Sequence, residues 1–220
     1  MYIPHQNKIE DWDEIQHFVA SSRAADLVTV NSDGLPIATL MPIVWDVSVP
    51  SEGNEGNEGN YGKLIMHMAR ANEQWKQITP GTKGLAIVHG AQAYISPTNY
   101  SNKKTDHKVV PTWNYQSVHL SGVVEVSEDT ELLRQIVTNL THRHEMNREL
   151  PWKVEDSDPH YIDLQLKGII SVILHVTKVE AKSKLSQNKS LEDRERVIAD
   201  LSQSGIAGEE IIAAEMRRLF

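Results

Sequence analysis

Two short stretches hold the side chains best suited to chemistry: His67-Met68-Ala69-Arg70-Ala71-Asn72 and Val110-Pro111-Thr112-Trp113-Asn114-Tyr115. The first closes an apolar run and opens a short helical one. A strand end that leads into a helix start offers backbone N–H groups, and Arg70 adds a planar fork matched to phosphate oxygens. Asn72 can cap the helix or donate to a ligand carbonyl; an ordinary cap beside a surface arginine fits the same residues. The second stretch sets two large aromatics around an amide where a strand begins. Alternate strand residues face the same way, so Trp113 and Tyr115 share one face and Asn114 takes the other. A core aromatic pair is the plain alternative. Residues 182–189 add Lys182, Lys184 and Lys189, with Gln187 and hydroxyl donors, just where the most apolar strand finishes. Ser190 then caps a helix with Asp193 three positions on, and a solvated turn fits this segment equally well.

Other chemistries find no support. The chain has no cysteine, which excludes a disulfide framework and thiolate metal sites. Gly62-Lys63 follows glycines, but Asn57 stands where a phosphate loop needs its first glycine and Leu64 replaces the hydroxyl that would hold magnesium. In His142-Arg143-His144-Glu145 the histidines are two apart and diverge on a helix, and Arg148 occupies the second histidine position of a His-Glu-x-x-His motif. No Gly-x-Ser-x-Gly elbow occurs. A net charge of −8 works against tight nucleic-acid binding, although a local basic pocket can still hold a small anion. The most apolar stretch, residues 168–176, contains Ser171 and His175 and is too short to span a bilayer. The first residues show no basic segment followed by an apolar run, so the expectation is a soluble cytoplasmic protein without membrane partners.

The elements that must position these residues are mostly strands. Residues 11–23 read as an amphipathic helix, and residues 27–30 and 36–49 as a hairpin across Asn31-Ser32-Asp33-Gly34. Glu-Gly-Asn repeats three times from Glu52 to Asn60, a low-complexity loop. Strands are expected at 63–68, 84–89, 91–96, 113–126 and 168–179, and helices at 72–78, 128–146, 158–166, 190–203 and 208–219. About six or seven strands without regular βαβ alternation argue for an antiparallel barrel with appended helices. The two last helices resemble a DNA-reading pair in spacing only. Glu209 and Glu210 would face the bases, while Arg217 and Arg218 suit the far end of the helix dipole, so direct DNA contact is disfavoured.

Taken in order, these segments resemble the PaiB-like family of FMN-binding negative transcriptional regulators. The likeness runs through Met1-Tyr2-Ile3-Pro4, Ala38-Thr39 with Pro42, residues 67–72 with Gln74-Trp75, Ile95-Ser96-Pro97, residues 110–115 with Val118-His119, and residues 184–189. The resemblance implies a mainly β fold with appended helices, a split antiparallel β-barrel of Greek-key type, over residues 1–185, with 186–220 as a helical extension on the same domain. It further implies a homodimer with FMN at the subunit interface. FMN asks for cations at its phosphate, hydrogen bonds along its ring and ribityl chain, and a flat apolar wall. On that basis Arg70, Lys103 and Lys184 are assigned to the phosphate, and Thr39, Asn72 and Gln187 to ribityl or ring hydrogen bonds. Trp113 and Tyr115 form the wall, and His67 orients the ring or its phosphate. Two positions depart from the family pattern: Leu40 replaces a histidine and Asn99 a tryptophan. Three function classes follow: a flavin-binding regulator or sensor, a flavin-dependent oxidoreductase acting on a small molecule, and a flavin-free dimeric binding protein.

Overall fold

The structure, a computed structural model, describes residues 1–48, 59–101 and 108–219. Its strands are β1 (Ala24–Val30), β2 (Pro36–Pro42), β3 (Val44–Asp46), β4 (Lys63–Ala69), β5 (Lys83–Ile95), β6 (Thr112–Ser127) and β7 (Ile169–Lys184). Its α-helices are α1 (Trp12–Ser22), α2 (Thr130–Glu145), α3 (Pro159–Leu166), α4 (Leu191–Leu201) and α5 (Ala207–Leu219). The strands form one sheet in the order β2-β1-β5-β6-β7-β4-β3.

Every neighbouring pair runs antiparallel. The registers of β1 with β2 and β5, β3 with β4, and β4 with β7 show it directly. Side chains show it for the rest: Ser127 and Ser121 of β6 meet Ser171 and Thr177 of β7 in reverse order. Likewise Val124 packs by Gly84 of β5, whereas Trp113 bonds Gln92. Long amphipathic strands and a turn ending in Asp-Gly favour this arrangement, and the hairpin turn is closed by Asn31, whose Oδ1 accepts from Asp33 N and Leu35 N.

The chain divides into two compact units, and the boundaries fall inside α1, β5, β6 and β7. One unit comprises Gln16–Val88 and His119–Glu180. Here β2 and β3, the two edges of the sheet, are joined by Ile43 alone. One residue spans about 3.5 Å, so the sheet must curl until its edges meet. β2 does touch β4, the neighbour of β3. Alternate positions fill this interior with Leu27, Leu64, Met66, Val88, Leu120 and Leu174, all fully buried. At Gly122 the backbone of β6 closely approaches that of β7: a Cβ there would lie 1.8 Å from the His175 carbonyl oxygen. On the outside, Leu133 of α2, Ile162 and Leu166 of α3, and Val154 make a second apolar cluster. Helix α2 is capped by Asp129, which accepts from Leu132 N at 2.9 Å.

The other unit comprises Met1–Ile15, His89–Val118 and Ala181–Phe220. Its core joins Ala93, Ile95, Tyr100 and Leu185 to Val197 and Leu201 of α4 and Ile212, Ala213 and Met216 of α5. Ser190 caps α4 as the sequence predicts, accepting from Asp193 N. Arg218 pairs with Glu14 at 2.7 Å and Glu215 at 3.1 Å, and Arg217 bonds Ser202, so both arginines of the last turn are engaged within the unit.

Four elements differ from the sequence reading. The two strands expected at 84–89 and 91–96 are one continuous β5, since Gly90 is accommodated in extended backbone. The run 36–49 breaks at Ile43. The helix expected at 72–78 is a 3-10 turn, Glu73–Gln77. β7 continues past Val179 to Lys184, so the polar Lys182-Ser183-Lys184 is strand and not turn.

Candidate functional site

The first group of expected site residues lies in the unit containing Gln16–Val88. Asn72 caps the 3-10 turn by accepting from Gln74 N at 2.9 Å, and its Nδ2 donates to Thr39 Oγ1 at 2.9 Å. Thr39 donates in turn to Gln74 Oε1 at 2.6 Å. Gln74 is buried, and its Nε2 reaches Leu27 O, Thr29 Oγ1 and Ile37 O, which tie the turn to β1 and β2. Thr39 and Asn72 are thus brought together, but by a network that fixes the end of β4. Two of the backbone N–H groups expected to be available are engaged: Arg70 N donates to Gly168 O and Asn72 N to Ala69 O. Arg70 donates from Nε to Lys167 O at 2.8 Å and pairs with Glu128 at 2.5 Å, with its side chain 38% exposed.

His67 faces outward on β4, opposite Ser171 of β7. Its Nδ1 is buried with no hydrogen-bond partner among the described residues, and burial lowers its pKa below the ordinary histidine value. A histidine that folds neutral but charges when unfolded gives stability that is complete above the unfolded pKa of about 6.5 and is lost as pH falls through the lower folded value. Urea melts between pH 7.5 and 5 should therefore show a fall in stability on acidification that is smaller in His67→Leu. Parallel profiles for the two proteins would remove His67 from that role.

The second group lies in the unit containing His89–Val118 and Ala181–Phe220. β6 alternates as the sequence predicts: Asn114 and Gln116 are buried, whereas Trp113 and Tyr115 share the more exposed face. Asn114 Nδ2 donates to Ser186 Oγ at 3.0 Å, and Gln116 Nε2 to Ser183 Oγ at 3.3 Å. On the other face the Trp113 indole N–H donates to Gln92 Oε1 at 3.0 Å, and its ring meets Tyr94 edge-on at 6.2 Å. Trp113 and Tyr94 are 46% and 48% exposed, so this pair is a surface wall and not a core pair. Gln187 holds the turn after β7 with both ends of its amide: Oε1 accepts from Leu185 N, and Nε2 donates to Ser183 O.

Two lysines of β7 lie against the same face of β6. Lys184 Nζ donates to Thr112 Oγ1 at 2.6 Å and Trp113 O at 2.7 Å. Burial lowers its pKa from the ordinary ammonium value; Tyr115 opposes this, and the charge of Lys182 adds to it. Lys182 is only 6% exposed. Its Nζ donates to Tyr115 Oη at 2.6 Å and Tyr2 O at 3.1 Å, and lies 4.9 and 5.8 Å from the centroids of those rings. Neither lysine pairs with a carboxylate among the described residues. An ammonium has three donors, and each of these uses two. Two uncompensated, part-desolvated cations beside an exposed indole form a face suited to an anionic group carried on a flat ring.

Lys182 was not assigned a role from sequence. Its signal, a lysine two residues before Lys184 in a β-branched run, becomes readable only when 182–184 is recognised as strand. Lys103 lies outside the described residues, as does most of the Glu-Gly-Asn repeat. The departures from the family pattern have local accounts. Leu40 is exposed on β2, and Asn99 Nδ2 donates to Asp200 Oδ2 at 2.9 Å, joining the end of β5 to α4.

A family profile described as "Putative FMN-binding domain" matches residues 1–178. The protease synthase and sporulation protein PAI 2 of Bacillus subtilis (strain 168) is 32% identical over 201 residues, 91% of this chain and 89% of that protein. The chain belongs to this FMN-binding family. Among solved structures, the FAD and heme binding protein from Mycobacterium smegmatis superposes with a TM-score of 0.57 at 15% identity, covering 86% of this chain and 78% of that one. The flavocytochrome Anf3 from Azotobacter vinelandii gives 0.54 at 14% identity, over 87% and 76%. The fold is thus of the split-barrel type, and FMN is the family's cofactor. The family match ends before Lys182, Lys184 and Gln187, so the lysine face lies in a part of the chain that the profile does not span. No helix among the described residues is long and apolar enough to cross a membrane.

Proposed function

We propose that this member of the FMN-binding family is a flavin-linked negative regulator or sensor of the PaiB-like type, acting in the cytoplasm as a homodimer. The likeness to the Bacillus protein, running over about nine-tenths of both chains, carries this reading; that protein is named a protease synthase and sporulation protein. Bound FMN supplies one- and two-electron redox chemistry. Lys182 and Lys184 hold its phosphate by charge-assisted hydrogen bonds, and Trp113 and Tyr115 present the flat wall. Arg70, in the unit containing Gln16–Val88, is the alternative phosphate contact, provided that it exchanges Glu128 for the ligand.

A visible spectrum of the purified protein, with FMN released by denaturation and quantified, tests the cofactor. Arg70→Ala should lower FMN affinity at least tenfold; an unchanged affinity removes Arg70 and leaves the lysine face as the phosphate site. Regulation is tested by deleting the gene and measuring transcripts: derepression of a defined set, reversed by the wild-type chain and not by an FMN-deficient variant, is expected. Rapid anaerobic reduction of the flavin by NADH or NADPH, with no transcript change, would instead make the protein an oxidoreductase. Light scattering should give twice the mass of one chain; a monomer would overturn the dimer.

A further inference from the structure

A cavity of about 330 Å³ opens between the last two turns of α2 and the segment 151–155 that follows it. Its volume lies at the small end of the range for ligand pockets. Helical spacing explains its polar wall. Thr138, His142 and Glu145 follow one another at i, i+4 and i+7, with Asn139 and Thr141 beside them. The opposite wall carries Trp152, an indole left 45% exposed, and Val154, which is buried in the apolar cluster beneath.

The arrangement is held in place from below. Glu145 accepts from Trp152 N at 3.1 Å and pairs with Arg148 at 3.0 Å, so its charge is compensated and the indole's backbone is fixed before any ligand arrives. By contrast, the side chains of Thr138, Asn139, Thr141 and His142 hydrogen-bond to no other described residue. They present hydroxyl, amide and imidazole groups, both donors and acceptors, beside an aromatic face. The charges of Lys153 and Glu155 at the rim offset one another, which argues against a strongly anionic or cationic occupant.

We propose that this cavity binds a small uncharged heteroaromatic ring with hydrogen-bond donors and acceptors along its edge, of nucleobase or nicotinamide size, stacked on Trp152. A ring of that kind has a π-face for the indole and an amide-like edge that Asn139 can meet with both its donor and its acceptor. All lining residues belong to one compact unit, and none is among those assigned to FMN.

The full chain, saturated with FMN, can be titrated with adenine, uracil and nicotinamide while the indole N–H resonance of Trp152 is followed by NMR. Trp152→Phe identifies that resonance among the five tryptophans. A saturable shift with at least one probe below a few millimolar is expected, and Asn139→Ala should raise the half-saturating concentration at least fivefold. Asn139 is exposed on a helix, where alanine is the better helix former, so this variant retains its fold. No shift with any probe, or a shift that Asn139→Ala leaves unchanged, overturns the proposal. Failure of FMN to bind would show in the flavin spectrum and leave this test intact, to be run without the cofactor.

Discussion

Lys182→Met should weaken FMN binding by about 100-fold, with little loss of thermal stability. The reason lies in how this ammonium is held. It is buried, it has no carboxylate among the described residues, and its neutral partners are a phenol, a backbone carbonyl and two ring faces. A lone buried charge destabilises the protein that carries it, and replacement by an apolar residue of similar volume is often neutral or stabilising. A bound anion, however, loses a charge-assisted hydrogen bond worth about 1.5–3 kcal/mol, which is roughly a 10- to 150-fold change in affinity. Fluorescence titration with FMN and a thermal melt read the two effects separately. Weakened binding with an unchanged melting temperature assigns the lysine to the ligand. Unchanged binding with a large drop in melting temperature makes it a purely structural cation.

Gly122→Ala should destabilise the chain by about 3 kcal/mol or more, beyond the ordinary cost of overpacking a core. The added methyl would meet the His175 carbonyl oxygen at 1.8 Å, its carbon at 2.7 Å and Val176 Cα at 3.1 Å. All three are backbone, so no rotamer change relieves the clash, and β6 and β7 must part where Leu120 and Leu174 pack the interior. For a chain of this size that corresponds to a fall in melting temperature of roughly 6–12 °C. Scanning calorimetry showing a loss of less than two degrees would mean that the two strands are not so closely opposed.

The sequence and the structure diverge for identifiable physical reasons. Hydrophobic alternation located β4, β6 and the apolar part of β7, because those strands bury one face or both. Alternation failed where polar residues are buried. Lys182 and Ser183 look like a turn until Tyr115 and Gln116 across the ladder are seen to satisfy them. Gly90 reads as a break because nothing local reveals that pairing keeps its backbone extended. The candidate site divides in the same way. Asn72 as a cap could be read locally, since capping is decided within three residues. The anion-binding face could not, because it depends on the register of β6 against β7, which sets lysines and aromatics side by side across more than sixty positions of sequence.

Ile43 has a consequence for motion. Sheets ordinarily open by fraying from an edge, each edge independently of the other. Here the two edge strands are consecutive in the chain, with β2 paired to β1 and β3 to β4 on either side of this one buried residue. Releasing β3 from β4 pulls on the hairpin of β1 and β2, and releasing β2 pulls on β3. The opposite rims of the sheet are therefore expected to open together, at the seam of the barrel, and not one by one.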